Sequence, residues 1–425
     1  MKRLILMIAI LVLVIPTFAQ DGMECSIEAP GESTEISMIG WSFPITDFYA
    51  DELEGCNSVE NLTVNAQLLA SADAQEQVRL ALSTGGDSPY DIVHLSNAQV
   101  GEWSGWLTPL NDLIEEYREE YNLDDIPQVA WDGVTVDGNI YGIPMVSNTL
   151  HFIYRSDVYE EFELEVPETY ADVIEACNTI GLDNRDFDAP FTINLSAGWA
   201  WEIEFFQFLR AYGGGFLNDD LTPAFNGEEG IQAVELILDV AEACMGDFGY
   251  SFNLNDQEVA VQLGTLPATN MWASRAANMT DPERTSISDL IAYAPAPRVT
   301  EDSPRAGSAW NDYYAIPATT TNDPALIFQV IMEAADEESQ QRAAALGQAT
   351  RLSSSAFGGP YLEAAGITVA EGIGIYDKHP AVSIVRAKLG EFLPLVGTGD
   401  MTPQEALDAA AEAYLEEATS QGYIE

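Results

Sequence analysis

The sequence predicts an α/β protein of two lobes, each a mostly parallel sheet flanked by helices, joined by a multi-strand hinge. Three observations carry this expectation. The chain has 425 residues, too many for one ordinary core and enough for two. Strand, helix and strand patterns follow one another over residues 62–68, 71–83 and 91–95, the signature of a parallel crossover unit. Finally, Asp137-Gly138 forms a turn dipeptide leading into a strand over 140–146, and a second strand follows over 149–154. The polar pair Ser147 and Asn148 separates them and reads as the hinge, with one strand in each lobe and a ligand held between the lobes.

Composition narrows the setting. Hydrophobic residues at 47% and aromatics at 10% suffice to fill two cores. Residues 1–19 carry Lys2 and Arg3, an apolar run over 4–15 and Thr17-Phe18-Ala19, the plan of a cleaved signal peptide, with the exported chain starting near Gln20. The apolar run is short for a bilayer span, and Gly22-Met23-Glu24 before Cys25 does not suit lipid attachment. Cys25, Cys56, Cys177 and Cys244 fit an oxidising compartment and allow three pairings. Cys25 with Cys56 and Cys177 with Cys244 is favoured, because each bridge then stays within one lobe and leaves the hinge free. Against 16 basic residues stand 69 acidic ones, a net charge of -53. Losing Lys2 and Arg3 with the leader takes it to -55, leaving Lys378 and Lys388 as the only lysines. Such a chain repels nucleic acid and anionic lipid, and acids spread along its whole length suit salty or acidic surroundings.

The elements follow in order. Residues 35–40 alternate as a first strand that ends at Trp41, and 62–68 form the second. A helix over 71–83 stops at Gly85-Gly86, and the third strand, 91–95, ends in the polar run Ser96-Asn97-Ala98-Gln99. An acidic helix near 111–121 precedes the hinge. Beyond it, Thr169 and Asp172 make a capping-box start, 191–195 reads as a strand, and the apolar helix 199–212 stops at three glycines. A helix over 228–244 carries Cys244. Strand-like runs at 270–272, 291–296 and 307–317 follow, then a helix over 323–334 capped by Asp323 with Pro324, another near 339–346, and a last helix opened by Thr402, Pro403 and Glu405.

These landmarks together resemble the extracellular solute-binding proteins of ABC importers, in the carbohydrate-binding, maltose-binding-protein-like group (family 1). The resemblance rests on Asp87-Ser88-Pro89-Tyr90-Asp91-Ile92-Val93, on Gly105-Trp106-Leu107 with Pro109-Leu110, and on the run from Asp137-Gly138 through Gly142-Ile143-Pro144 to Tyr154-Arg155. Val166-Pro167-Glu168-Thr169 and Met401 to Ala410 extend it over nearly the whole chain. Arg155 stands where the group has a lysine, and the first helix is short. The likeness implies a two-lobe periplasmic-binding-protein fold, with residues 20–147 and 291–322 in the first lobe and 148–290 and 323–425 in the second. It also implies closure on a ligand and delivery to the permease subunits of an importer, by a monomer in the periplasm or outside the cell that meets the membrane only through that permease.

A sugar or polyol offers hydroxyls for hydrogen bonds and C–H faces for aromatic rings, so its pocket needs tryptophans beside polar side chains. Trp41, Trp199, Trp201, Trp272 and Trp310 stand near strand or helix ends where such a pocket forms, with Asn311 beside the last. Ser96, Asn97, Asn148 and Arg351 are the polar candidates. Trp103, Trp106 and Trp131 read as packing. Enzyme readings are weaker: His94, His151 and His379 lack metal spacing, neither a nucleophile elbow nor a phosphate loop is present, and Glu202 and Glu204 at i and i+2 of a helix point apart. No metal or other cofactor is expected. Asp183, Asp186 and Asp188 do not complete a calcium loop. The expected function is therefore capture of a carbohydrate or polyol without catalysis. A polyamine or other cationic solute, or an extracellular carbohydrate-active enzyme, are the competing readings.

The charge generates a prediction of its own. Mutual repulsion among so many carboxylates is screened as the Debye length falls from about 30 Å at 0.01 M to about 3 Å at 1 M salt. The melting temperature should rise across that range, and a flat profile would remove the environmental reading of the acidity.

Overall fold

The computed structural model describes residues 25–196, 198–246 and 249–424; the expected leader, 1–19, lies outside them. Strands are numbered in chain order. β1 (Thr34–Trp41) and β2 (Leu62–Leu69) pair in parallel along their length, with β3 (Ile92–Ser96) parallel on the other side of β1. A small hairpin, β4 (Thr135–Val136) and β5 (Asn139–Ile140), turns at Asp137-Gly138, both with positive φ. β6 (Ile143–Asn148) closes the first sheet, and β7 (Leu150–Arg155) opens the second one residue later. β8 (Phe191–Thr192), β9 (Ala268–Trp272) and β10 (Ile291–Ala294) join β7, in the order β10-β7-β9-β8. β11 (Arg305–Ser308) pairs with β13 (Gly372–Gly374), while β12 (Trp310–Ala315) returns to the first sheet, whose order is β2-β1-β3-β12-β6.

Strands β3, β6, β7 and β9 are buried along most of their length, while the edge strand β2 alternates buried and exposed residues. In the first lobe, Ile36, Met38, Val64 and Ile92 pack with Tyr49 and Leu53 of the helix Pro44–Gly55 and with Ile327, Phe328 and Ile331 of the helix Pro324–Ala334. Ile39, Val93 and Leu95 pack on the opposite face with Val78, Leu82 and Trp103. In the second lobe, Phe152, Phe191 and Ile193 meet the helices Gly198–Ala211, Ala381–Phe392 and Pro403–Ser420, while Ile153 and Met271 meet Ala260 and Val261. Local chemistry starts the helices as expected: Thr169 accepts from the backbone N–H of Asp172, and Thr402 from that of Glu405.

Three expectations need correction. The sheets are mixed instead of mostly parallel: β12 runs antiparallel to both β3 and β6, and β7 runs antiparallel to β9 and β10. A strand that re-enters the first sheet after an excursion through the second lobe arrives from the other end. The strand at 291–294, expected in the first lobe, pairs with β7 in the second. The helix Pro324–Ala334, expected in the second lobe, buries its apolar stripe in the first. A hydrophobic period fixes which face of an element is buried but not which sheet covers it.

Both favoured disulfides are present, Cys25 with Cys56 and Cys177 with Cys244. The second closes a loop with a sequence separation of 67, a constraint on the unfolded chain of roughly 4 kcal/mol. Urea unfolding of C177S/C244S should show a loss of about that size, and a loss below about 1 kcal/mol would mean that the bridge constrains little.

Candidate functional site

The chain leaves the first sheet at Asn148 and enters the second at Leu150, and the registers on either side fix what faces what. Asn148 of β6 is paired with Trp310 of β12, and Leu150 of β7 with Trp272 of β9. The two indoles therefore flank the crossing from different sheets and meet edge to face, with centroids 5.6 Å apart at 65°. Such a pair is worth about 1 kcal/mol beyond its burial. Tyr376 stands almost perpendicular to Trp310 at 5.6 Å and stacks on Phe206 at 3.9 Å. The Arg386 guanidinium lies 4.7 Å from the Tyr376 ring centre and 5.8 Å from that of Trp310. Its Nε donates to Glu202 Oε2 at 3.1 Å. Glu202 is buried, and burial raises its pKa while Arg386 and Tyr376 oppose the rise. Its Oε1 has no hydrogen-bond partner among the described residues, and neither has the buried Ser308 hydroxyl. The Tyr376 hydroxyl faces Glu202 and Arg386 without a well-formed hydrogen bond.

The result is a three-ring box with an ion pair at its wall, on the boundary between the lobes. Its aromatic edges and faces can pack against C–H groups, and Arg386 and the free Glu202 oxygen can exchange hydrogen bonds with hydroxyls. A surface groove of about 550 Å³ beside the second disulfide, lined by residues such as Ile174, Leu182, Asp239 and Glu242, has neither an aromatic ring nor a cation among those lining it, so the chemistry does not point there.

The other sequence candidates fall elsewhere. Trp41 stacks on His94 at 3.4 Å, and His94 Nε2 lies 3.3 Å from Asp312 Oδ1. Trp201 is buried and stacked parallel to Tyr250 at 5.8 Å, while Trp199, two residues earlier, is 45% exposed. Ser96 donates to Gln99 Oε1 at 2.5 Å, and Asn97 Oδ1 accepts from the Asn311 backbone at 2.9 Å. Asn311 Oδ1 takes the Ser147 hydroxyl at 3.1 Å. Asn148 Oδ1 accepts from the backbone N–H groups of Thr149 and Ser274, and its Nδ2 donates to the Ser274 hydroxyl at 3.0 Å. Arg351 is 1% exposed and gives its guanidinium to the carbonyls of Ala335, Asn122 and Tyr121 in the first core. Arg351, Asn148, Ser96, Asn97 and Asn311 each have hydrogen-bond partners within the protein. The reading along the chain missed Tyr376 and Arg386. An arginine directly after the largely apolar stretch AVSIV of the helix Ala381–Phe392 was the available signal.

Residues 57–341 match the family described as bacterial extracellular solute-binding protein. Among curated relatives, a mannitol-binding protein of Pseudomonas aeruginosa is 24% identical over 366 residues, covering 79% of this chain and 81% of that one. Among solved structures, an ABC transporter solute-binding protein of Agrobacterium radiobacter in complex with ribitol superposes with a TM-score of 0.79 at 18% identity, covering 91% of this chain and 99% of that one. Another from Agrobacterium vitis with bound D-mannitol gives 0.77 at 20% identity, covering 92% and 99%. At these identities the two structures establish the fold.

Glu204, on the same helix as Glu202, has a different environment. It is buried, and burial pushes its pKa up to about 8 against a backbone hydrogen bond from Asn194. Burial pushes His151 down to about 3. The folded protein thus holds the Glu204 proton between its ordinary value and about pH 8, so stability falls as pH rises through that window. The unfolded protein protonates His151 first, so stability also falls as pH drops from about 6.5 towards 3. The melting temperature should peak at mildly acidic pH, and Glu204→Gln should flatten the alkaline limb. Parallel curves for the two proteins from pH 6 to 9 would contradict the assignment.

Proposed function

Because the chain belongs to the bacterial extracellular solute-binding protein family, we propose that it captures a polyol or small carbohydrate between its lobes and passes it to an ABC importer. The observation that carries the reading is the box of Trp272, Trp310 and Tyr376 at the interlobe crossing, with Arg386 and Glu202 at its wall. The polyol ligands of the related proteins support it. So does the electrostatics. A cationic ligand stacked on Trp310 and Tyr376 would compete with the Arg386 guanidinium already there, and the Glu202 charge is partnered. A neutral polyhydroxylated ligand meets no such repulsion, which favours it over a polyamine despite the acidity of the whole chain.

Hydrolysis is no part of this reading. Glu202 is engaged by Arg386, and Glu204 accepts from Gln207 in a separate buried network. The lobe assignment proposed here is 25–148 with 310–350 for the first and 150–308 with 361–424 for the second, following the strand pairings and cores. The protein works as an exported monomer that reaches the membrane only by docking on permease subunits.

A thermal-shift panel of mannitol, ribitol, glucose, maltose and spermidine tests this. A ligand at 100 times its Kd stabilises by about 2.7 kcal/mol, so a polyol or sugar should raise the melting temperature clearly while spermidine does not. Trp310→Ala and Arg386→Gln should each weaken that ligand at least about tenfold, the equivalent of one hydrogen bond to a charged group. A response to spermidine alone would replace the polyol reading with the cationic one.

A further inference from the structure

Away from the aromatic box, the two lobes touch along a rim built from three chain segments. Lys378, in the second lobe between β13 and the helix Ala381–Phe392, extends its ammonium across the boundary. It donates to the carbonyl of Thr135 at 3.0 Å and to that of Asp132, both in the first lobe. The backbone of the same residue is seated against the short helix Val100–Trp103: a Cβ on Gly101 would come within 1.9 Å of the Lys378 carbonyl oxygen. The next residue, Glu102, faces Ser383 and Arg386 of the second lobe, and burial raises its pKa against the pull of Arg79, Arg386 and the Ser383 hydroxyl. One lysine, one glycine and one carboxylate thus hold the lobes together without belonging to the ring box.

We propose that this rim is a closure lock: Lys378, admitted by the missing side chain of Gly101, stabilises the closed arrangement and so sets ligand affinity from outside the pocket. The inference rests on the solute-binding reading above. Affinity for a ligand held only by the closed form is reduced by whatever fraction of the protein stands open, so a contact made only on closure counts towards binding. Lys378 has two carbonyl acceptors in the first lobe. In a chain of three lysines, one of them in the expected leader, it is an unusual investment. Arg386 links the lock to the box, since it faces Glu102 on one side and Trp310 on the other.

The lock can be read with and without ligand, using an amine-reactive label and peptide mass spectrometry on the mature protein. Lys388, which pairs with Glu417 inside the second lobe at 2.7 Å, is the internal reference. Without ligand, Gly101→Ala should raise the labelling rate of Lys378 relative to Lys388 several-fold, because the methyl group wedges the rim open. With saturating mannitol, wild-type Lys378 should become more protected and Lys388 unchanged. Lys378→Met and Gly101→Ala should each weaken mannitol binding about tenfold while leaving the ligand-free melting temperature within a few degrees. Labelling that is insensitive to Gly101→Ala would show that the contact is not made in solution and overturn the lock. Altered labelling with wild-type affinity in both variants would overturn its role in binding. A wild type that binds none of the polyols or sugars, with the labelling contrast intact, removes the functional reading and the lock's role with it, while the rim contact stands.

Discussion

The structure depends on the side chain of Asn148. The chain passes from one sheet to the other within a single residue, Thr149, so the backbone there cannot pair with either ladder over its usual length. Asn148 compensates by accepting from the N–H groups of Thr149 and Ser274 and donating to the Ser274 hydroxyl. A buried amide satisfied in this way fixes its neighbours because every alternative leaves polar atoms unpaired. Here the neighbours are Trp310, its partner in the ladder, and Trp272, two residues before Ser274. Clamping the crossing therefore aims both indoles at the same space. The ring box follows from the hinge, and anything that loosens the hinge disperses the box.

Within that space the chemistry is set by one arginine in a chain of -53 charges. A carboxylate as buried as Glu202 carries a desolvation cost, and Arg386 offsets it by pairing at 3.1 Å while stacking on two rings. A buried pair of this kind contributes little net stability, since hydrophobic residues of equal volume would pack as well. What it supplies is a set of fixed donors and acceptors with no net charge, the complement of a neutral ligand rich in hydroxyls. The acidity of the surface and the neutrality of the box are separate properties, one concerned with the surroundings and the other with what is bound.

How much of this was legible in the sequence follows the range of each signal. Short-range chemistry was readable: the Thr169 and Thr402 caps, the helix at Ser71–Ser83, the Asp137-Gly138 turn and the β6 to β7 crossing stand within a residue or two of their expected places. The disulfides followed from keeping each lobe self-contained. Trp272 and Trp310 are 38 positions apart, and that their rings meet appears only when the chain is folded. Long-range partners were not readable. Asn97 and Arg351 looked available because nothing near them in sequence satisfies an amide at a strand end or an arginine; their partners at Asn311, Tyr121 and Ala335 appear only when the chain is folded. Tyr376 and Arg386 lie in the tail, far from the hinge in sequence, and only the return of that segment over the helix Gly198–Ala211 brings them to the box.

The central claim is that the two lobes close around a ligand at the Asn148 crossing. Small-angle scattering of the protein without residues 1–19, with and without mannitol, tests it directly. The ligand-saturated curve should match the compact arrangement in which Lys378 reaches Thr135, and the ligand-free protein, in which that arrangement is only partly populated, should have a larger radius of gyration. Tight binding that leaves the two curves identical, or that expands the protein, would contradict the account.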